Sequence, residues 1–139
     1  MFCLNAGDVS WKSSKQEIVA DSTMEAEYFA SSGAAKEAVW LRKFTLGLGV
    51  VPSIEDPVVL YCDNNGAIAQ AKEPRSHSKA KHILRRYHLL REINKRGDIH
   101  ICKVHIDDNV ADALTKALSQ QNHEGHTSSM GIRYMGNWL

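Results

Sequence analysis

Residues 58–66 read VVLYCDNNG, and the rest of the chain is arranged about them. Val58, Val59, Leu60, Tyr61 and Cys62 form an unbroken apolar run that stops at Asp63. A run of that length suits a strand covered on both faces, as in a mainly parallel sheet. Asn64, Asn65 and Gly66 end it, and residues 67–72 (AIAQAK) read as a short helix. Asp63 therefore sits where a buried strand hands over to a helix. In open α/β sheets that edge is where ligands and catalytic groups gather. A turn or capping role accounts for Asp63 equally well, although Asn64 or Asn65 suits that job too.

The bulk composition bounds the class. The 139 residues suffice for one domain, and 43% hydrophobic with 24% charged residues is ordinary globular usage. Net charge is only +1, but residues 72–96 hold nine Lys/Arg against two Asp/Glu, leaving eight basic and fourteen acidic residues for the rest. A basic segment on an otherwise acidic chain points to a polyanion held at one place, or to a solvated helix face. Three sparse cysteines, Cys3, Cys62 and Cys102, favour reduced thiols in an intracellular protein. No apolar run reaches membrane-spanning length, and the start lacks the pattern of a signal peptide.

In chain order, residues 1–4 and 9–13 read as short strands about a turn at 5–8, with 17–20 continuing the second strand. Ser22 followed by Glu25 fits a capping box, opening a helix that runs to about residues 46–49. Along it, Glu27, Ala30, Ala34, Ala38 and Leu41 share one stripe at helical period. Glu25 falls with Ser32 and Lys36 on a face that reads as wet. Glu27 heading a buried stripe needs a partner, either a cation side chain or a metal ion. Residues 79–96 read as a helix ended by Gly97, with Ala80, Ile83, Leu84, Tyr87 and Leu90 buried. Residues 98–105 read as another strand, and Asp107, Asp108 and Asn109 cap a helix over 110–118. Asp112 lies in its first turn, where an acid is favoured by the helix dipole alone. Residues 119–139 read as a poorly ordered tail. Trp11 and Trp40 read as core residues. The histidine groups at 77, 82 and 88 and at 100 and 105 lack the paired spacing of a zinc module.

Three acids thus stand out: Glu27 on a helix, Asp63 at a strand end and Asp112 at a helix start. Clustered carboxylates repel unless divalent cations hold them. Two such ions about 4 Å apart clamp the attacking and leaving oxygens of a phosphodiester.

Four stretches carry a resemblance. DSTMEAEYFASSGAAKEAVWLRKF (21–44), LYCDNNGAIAQAK (60–72), HSKAKHILRRYHLLRE (77–92) and NVADALTKAL (109–118), in this order, resemble the ribonuclease H domain of copia-type retrotransposon polyproteins. The resemblance implies an α/β, ribonuclease H-like mixed sheet flanked by helices. It implies cleavage of the RNA strand of RNA–DNA hybrids with Mg²⁺ or Mn²⁺. By motif position it implies catalytic, metal-ligating roles for Glu27 (AEYFA), Asp63 (YCDN) and Asp112 (NVADALTK). A product-release histidine corresponds loosely to His105. Contacts to nucleic acid are expected at Asn64, Lys79, Lys81, His82, Arg85 and Arg86. The implied partners are the hybrid and the reverse transcriptase portion of a polyprotein, with no membrane, in a cytoplasmic particle. Family members begin with a further, central strand that carries the first metal-ligating aspartate; this sequence starts after it, and Asp8, in the hairpin turn, does not fit that role. The expectation is an N-terminally truncated domain over 1–118. The competing expectation is an inactive relic that keeps the fold and binds nucleic acid through residues 72–96.

Overall fold

A computed structural model describes residues 1–4, 7–16, 19–49, 56–72 and 81–132, with residues 81–84 described as backbone only. The described residues fall into two compact units, one drawn from within 1–17 and 105–139, the other from within 18–104. The first unit draws on residues from early and late in the sequence.

In the 18–104 unit, Ser22 starts the longest helix, α1 (Thr23–Leu48), by accepting the Glu25 N–H on its hydroxyl at 3.2 Å. The Glu25 carboxylate reaches back to the Asp21 N–H at 2.8 Å. This is the reciprocal capping predicted, shifted one residue on its return arm. The buried face of α1 differs from the predicted one. It carries Glu25, Tyr28, Phe29, Ser32, Ala35 and Ala38, whereas Ala30 is exposed and Glu27 and Ala34 are half-buried. Two aromatic rings outweigh a row of methyl groups in the apolar area each can remove from water. Trp40 was expected in the core but is 56% exposed, stacked on Phe44.

Strand β3 (Val58–Cys62) pairs in parallel with β4 (Ile99–Lys103), with Val58 opposite Ile99 and Cys62 opposite Lys103. The Val58 N–H to Asp98 and Val104 N–H to Cys62 bonds, both 3.1 Å, extend the ladder at each end. The crossover between them carries α2 (Asn65–Lys72) and α3 (Lys81–Lys95). Cover on both faces of β3 was expected. Instead Val59 and Tyr61 are 44% and 68% exposed, while Cys62, Ile99 and Ile101 are buried. The helices thus cover one face of the pair only.

The core of this unit joins helices to that face. Leu90, Ile93, Ala67 and Ala71 are buried with Tyr28, Phe29 and Tyr87. The Tyr28 ring lies 4.2 Å from that of Tyr87, and its hydroxyl donates to the Tyr87 carbonyl at 3.0 Å. The Ser32 hydroxyl donates to the Arg86 carbonyl, so a small polar side chain lets α1 sit close to α3. Arg91 donates from Nε to the Gln70 carbonyl at 3.2 Å, tying α3 to α2. Gly66 permits a close approach: a Cβ there would stand 2.8 Å from Sδ of Met24. Gly97 ends α3 at φ 78°, with the Asp98 N–H on the Ile93 carbonyl and its own N–H on that of Asn94. That pairing satisfies two terminal carbonyls and needs the left-handed conformation glycine adopts freely.

The other unit holds an antiparallel hairpin, β1 (Phe2–Leu4) and β2 (Gly7–Ser10), irregular between Phe2 and Cys3. The second strand stops at Ser10, short of the predicted 13, and residues 19–20 are not strand. Trp11, expected in the core, is 64% exposed. The predicted helix over 110–118 is instead two 3₁₀ turns, Ile106–Asp108 and Val110–Leu114. The predicted tail contains a helix, α4 (Gln120–Ser129), whose first turn is capped by the Ser119 hydroxyl. Met130 behind it is buried. The Ser13 hydroxyl donates to the Leu114 carbonyl at 3.0 Å, joining the two ends of the chain. The architecture is mixed α/β, with four helices and two two-stranded sheets among the described residues. No helix among them is long and apolar enough to cross a membrane.

Candidate metal centre

Asp63 occupies the bend between β3 and α2. The Asn64 side chain does the capping, its Oδ1 accepting the Ala67 N–H at 3.0 Å. That relieves Asp63 of the structural job that competed for it. The Lys103 ammonium, at the end of β4, donates to the Asp63 backbone carbonyl. Strand ladder, cap and lysine together fix the backbone that carries the carboxylate.

Glu27 stands on the second turn of α1. One carboxylate oxygen of Glu27, one of Asp63 and the Cys62 Sγ all lie within 4.8 Å of one another. The structure therefore brings together two of the three acids singled out from sequence, and adds a sulfur. Cys62 is 6% exposed. Its thiol pKa is raised, chiefly by burial, with the Glu27 and Asp63 charges adding; hydrogen bonds involving the Asn64 backbone and Ser31 oppose the rise. Two hard carboxylate donors suit Mg²⁺, which is held through one or two carboxylates plus waters and substrate oxygens. Glu27 and Asp63 are the residues that would hold such an ion.

Asp112 and His105 belong to the other unit. Asp112 is 7% exposed and accepts from Asn109 Nδ2 at 3.0 Å and from Lys116 Nζ at 2.8 Å. A nearly buried carboxylate thus has a cation and an amide to compensate its desolvation. His105 is exposed; its Nδ1 accepts the Asp107 N–H at 3.4 Å and lies 3.3 Å from the Asp107 carboxylate.

Of the expected nucleic-acid contacts, Lys79 lies outside the described residues. Lys81 and His82 open α3, where only the backbone is described. Arg85 is exposed; the Arg86 guanidinium sits 5.5 Å from the Phe29 ring centre. Lys72, His88, Arg91 and Lys95 line an open cleft of about 580 Å³ together with Ala71, Glu92 and Asn94. Sequence reasoning placed the basic segment but not this grouping. It also missed Cys62 as part of the site. Strand alternation gave no signal for it, because adjacent strand residues point to opposite faces; the bend at Asp63, after β3 ends, is what lets the two side chains meet.

Across 124 residues, 89% of its length, the chain is 37% identical to the retrovirus-related Pol polyprotein from transposon TNT 1-94 of Nicotiana tabacum. It is 36% and 35% identical, over the same length, to those from transposons RE1 and RE2 of Arabidopsis thaliana. It spans 9% of the first of these relatives and 8% of each of the others. No family model and no solved structure matches. Over most of its length, the chain is therefore a homologue of a segment of retrovirus-related Pol polyproteins from transposons.

Proposed function

We propose that this chain is a ribonuclease H-type domain that hydrolyses the RNA strand of RNA–DNA hybrids. The observation that carries the reading is the meeting of Glu27 and Asp63, far apart in sequence, with carboxylate oxygens within 4.8 Å. The homology to Pol polyproteins and the four motif stretches support it. Glu27 and Asp63 would hold Mg²⁺, which supplies the charge that activates water and steadies the leaving oxygen. Asp112 is the third acid of this proposal and His105 its product-release group. The α1 helix and the β3–α2 bend hold the backbones that carry Glu27 and Asp63 before substrate arrives. Exposed cations of residues 72–96 would take the hybrid backbone, with affinity that falls as salt rises.

The test is cleavage of an end-labelled hybrid in Mg²⁺. Wild-type turnover is expected, abolished by chelation and reduced at least a hundredfold by Asp63→Asn. Cleavage indifferent to that change would overturn the assignment.

The cationic cleft of Lys72, His88, Arg91 and Lys95 favours a second reading, a chain that binds nucleic acid without turning it over. Arg85→Glu with Lys95→Glu leaves the Arg86–Phe29 contact intact and should weaken hybrid binding at least tenfold at low salt. Unchanged affinity would remove this reading.

A further inference from the structure

Asn65 and Gly66 are the only Asn-Gly pair in the sequence; the other asparagines precede Ala, Asn, Lys, Val, His or Trp. We propose that Asn65 is a self-modification site, where the Gly66 backbone nitrogen converts the side-chain amide into a carboxylate and, in a share of molecules, lengthens the main chain. Neither the nuclease reading nor any metal enters this chemistry.

Asn65 is exposed and is the first residue of α2. Gly66 follows in the first turn, where helix geometry offers an N–H no carbonyl four residues back. The cap passes it over as well: the Asn64 side chain takes the Ala67 N–H at 3.0 Å, and the Asn64 carbonyl takes that of Ile68 at 3.1 Å. Gly66 has no Cβ to shield its nitrogen, and the packing keeps glycine there. A Cβ would stand 2.8 Å from Sδ and 3.0 Å from Cγ of Met24. The close approach of α2 to α1 thus holds the least hindered residue behind an exposed asparagine. The turn that must open for attack is weak. At eight residues α2 is too short to be stable alone, and a glycine in its first turn weakens it further. Opening at such an end is among the least costly local motions of a fold.

Hydroxide removes the Gly66 amide proton, and the nitrogen attacks Cγ of Asn65. The bond from Cγ to the side-chain nitrogen breaks, and that nitrogen leaves as ammonia with a proton from water. A five-membered imide remains, and water opens it at either carbonyl. Opening at Cγ gives an ordinary aspartyl residue. Opening at the main-chain carbonyl gives an isoaspartyl link, with the chain running through Cβ and Cγ. Water is consumed, ammonia is released and no atom changes oxidation state. Either product places a negative charge in the first turn of α2, where the helix dipole favours it. The isoaspartyl link also inserts one carbon between the Asn64 cap and the Ala67 N–H that it holds.

The experiment ages the full folded chain in mildly alkaline buffer, then maps its peptides by mass spectrometry with enzymatic detection of isoaspartyl residues. Conversion of Asn65 is expected to run about tenfold or more ahead of Asn94, Asn109 and Asn122, because only Asn65 precedes a residue without Cβ. The isoaspartyl form should be the larger share. Asn65→Gln, which would need a six-membered ring, should stop the reaction. Gly66→Ala alone meets Met24, so it is made together with Met24→Ala, and the pair should slow conversion about tenfold. Should that double variant fail to fold by circular dichroism, Asn65→Gln and the comparison among asparagines decide. The aged chain should melt below the fresh one, whereas Asn65→Asp should not. Asn65 intact in the folded chain but converted in urea, or a rate no higher than at the other three, would overturn the proposal. An aged chain that melts like the fresh one would overturn its main-chain consequence. Hybrid cleavage is not read, so failure of the nuclease reading leaves this result standing, and an unmodified Asn65 leaves the nuclease reading untouched.

Discussion

At the scale of single residues, Glu25 was read rightly as a cap and wrongly as exposed. Glu25 is a cap, as read, but it is fully buried, and so is Ser32 beside it. Alanines fit either face of a helix, so the stripe they drew was not decisive. Tyr28 and Phe29 decided it, and they turn the buried face toward Glu25. Glu25→Ala removes an acceptor for the Asp21 N–H and leaves a void. It should cost about 1–3 kcal/mol, read from the shift in denaturant midpoint; no shift would mean the return arm of the cap is idle. Cys3 offers a pH-dependent check. Its thiol is pushed up to about 11, first by burial and then by the Asp8 carboxylate, 2.8 Å from its sulfur. The folded value lies above the ordinary 9.0, so the stabilisation is whole below pH 9 and fades as pH rises through about 11. At pH 8 alkylation of Cys3 should run roughly a hundredfold slower than at an unshifted thiol. Asp8→Asn should restore several-fold of that rate, measured by mass spectrometry.

At the scale of elements, helix starts and stops were legible because their chemistry is local. Ser22, Gly49 and Gly97 fall where capping rules put them. Gly97→Ala should cost about 1–2 kcal/mol, because φ 78° is left-handed and disfavours a Cβ. A thermal melt unchanged by that substitution would contradict the cap. The existence of β3 and its parallel partner was legible from apolar runs. The exposure of Val59 and Tyr61 was not, because an apolar run does not say what lies against it. Asp112 was placed in a helix by its flanking acids and periodicity. Short 3₁₀ turns use the same caps, and only the hydrogen bonds to Asn109 and Lys116 reveal its setting. The α4 helix was missed for a related reason. Its sequence, QQNHEGHTSS, is polar and of low helix propensity. A Ser119 cap and a 2.8 Å Gln120–Glu124 side-chain bond support it, and neither stands out in a stretch read as tail.

At the scale of the whole molecule, stability of the 18–104 unit rests on a few residues joining helices to one sheet face. Leu90 is among the largest fully buried side chains there. Leu90→Ala should cost about 2–5 kcal/mol by urea denaturation; a smaller loss would mean this core is not the one that holds the unit. The pairing of Glu27 with Asp63 was legible only through motif resemblance, since nothing in local spacing ties a helix face to a strand end. Which residues of the chain's two ends pack together was not legible, because long-range contacts leave no periodic trace. What the nuclease reading requires is a cation bound between the Glu27 and Asp63 side chains. Anomalous scattering from crystals grown with Mn²⁺ reads that position. A peak within coordination distance of both carboxylates is predicted; Mn²⁺ found only elsewhere, with Glu27 and Asp63 on separate surfaces, would contradict it.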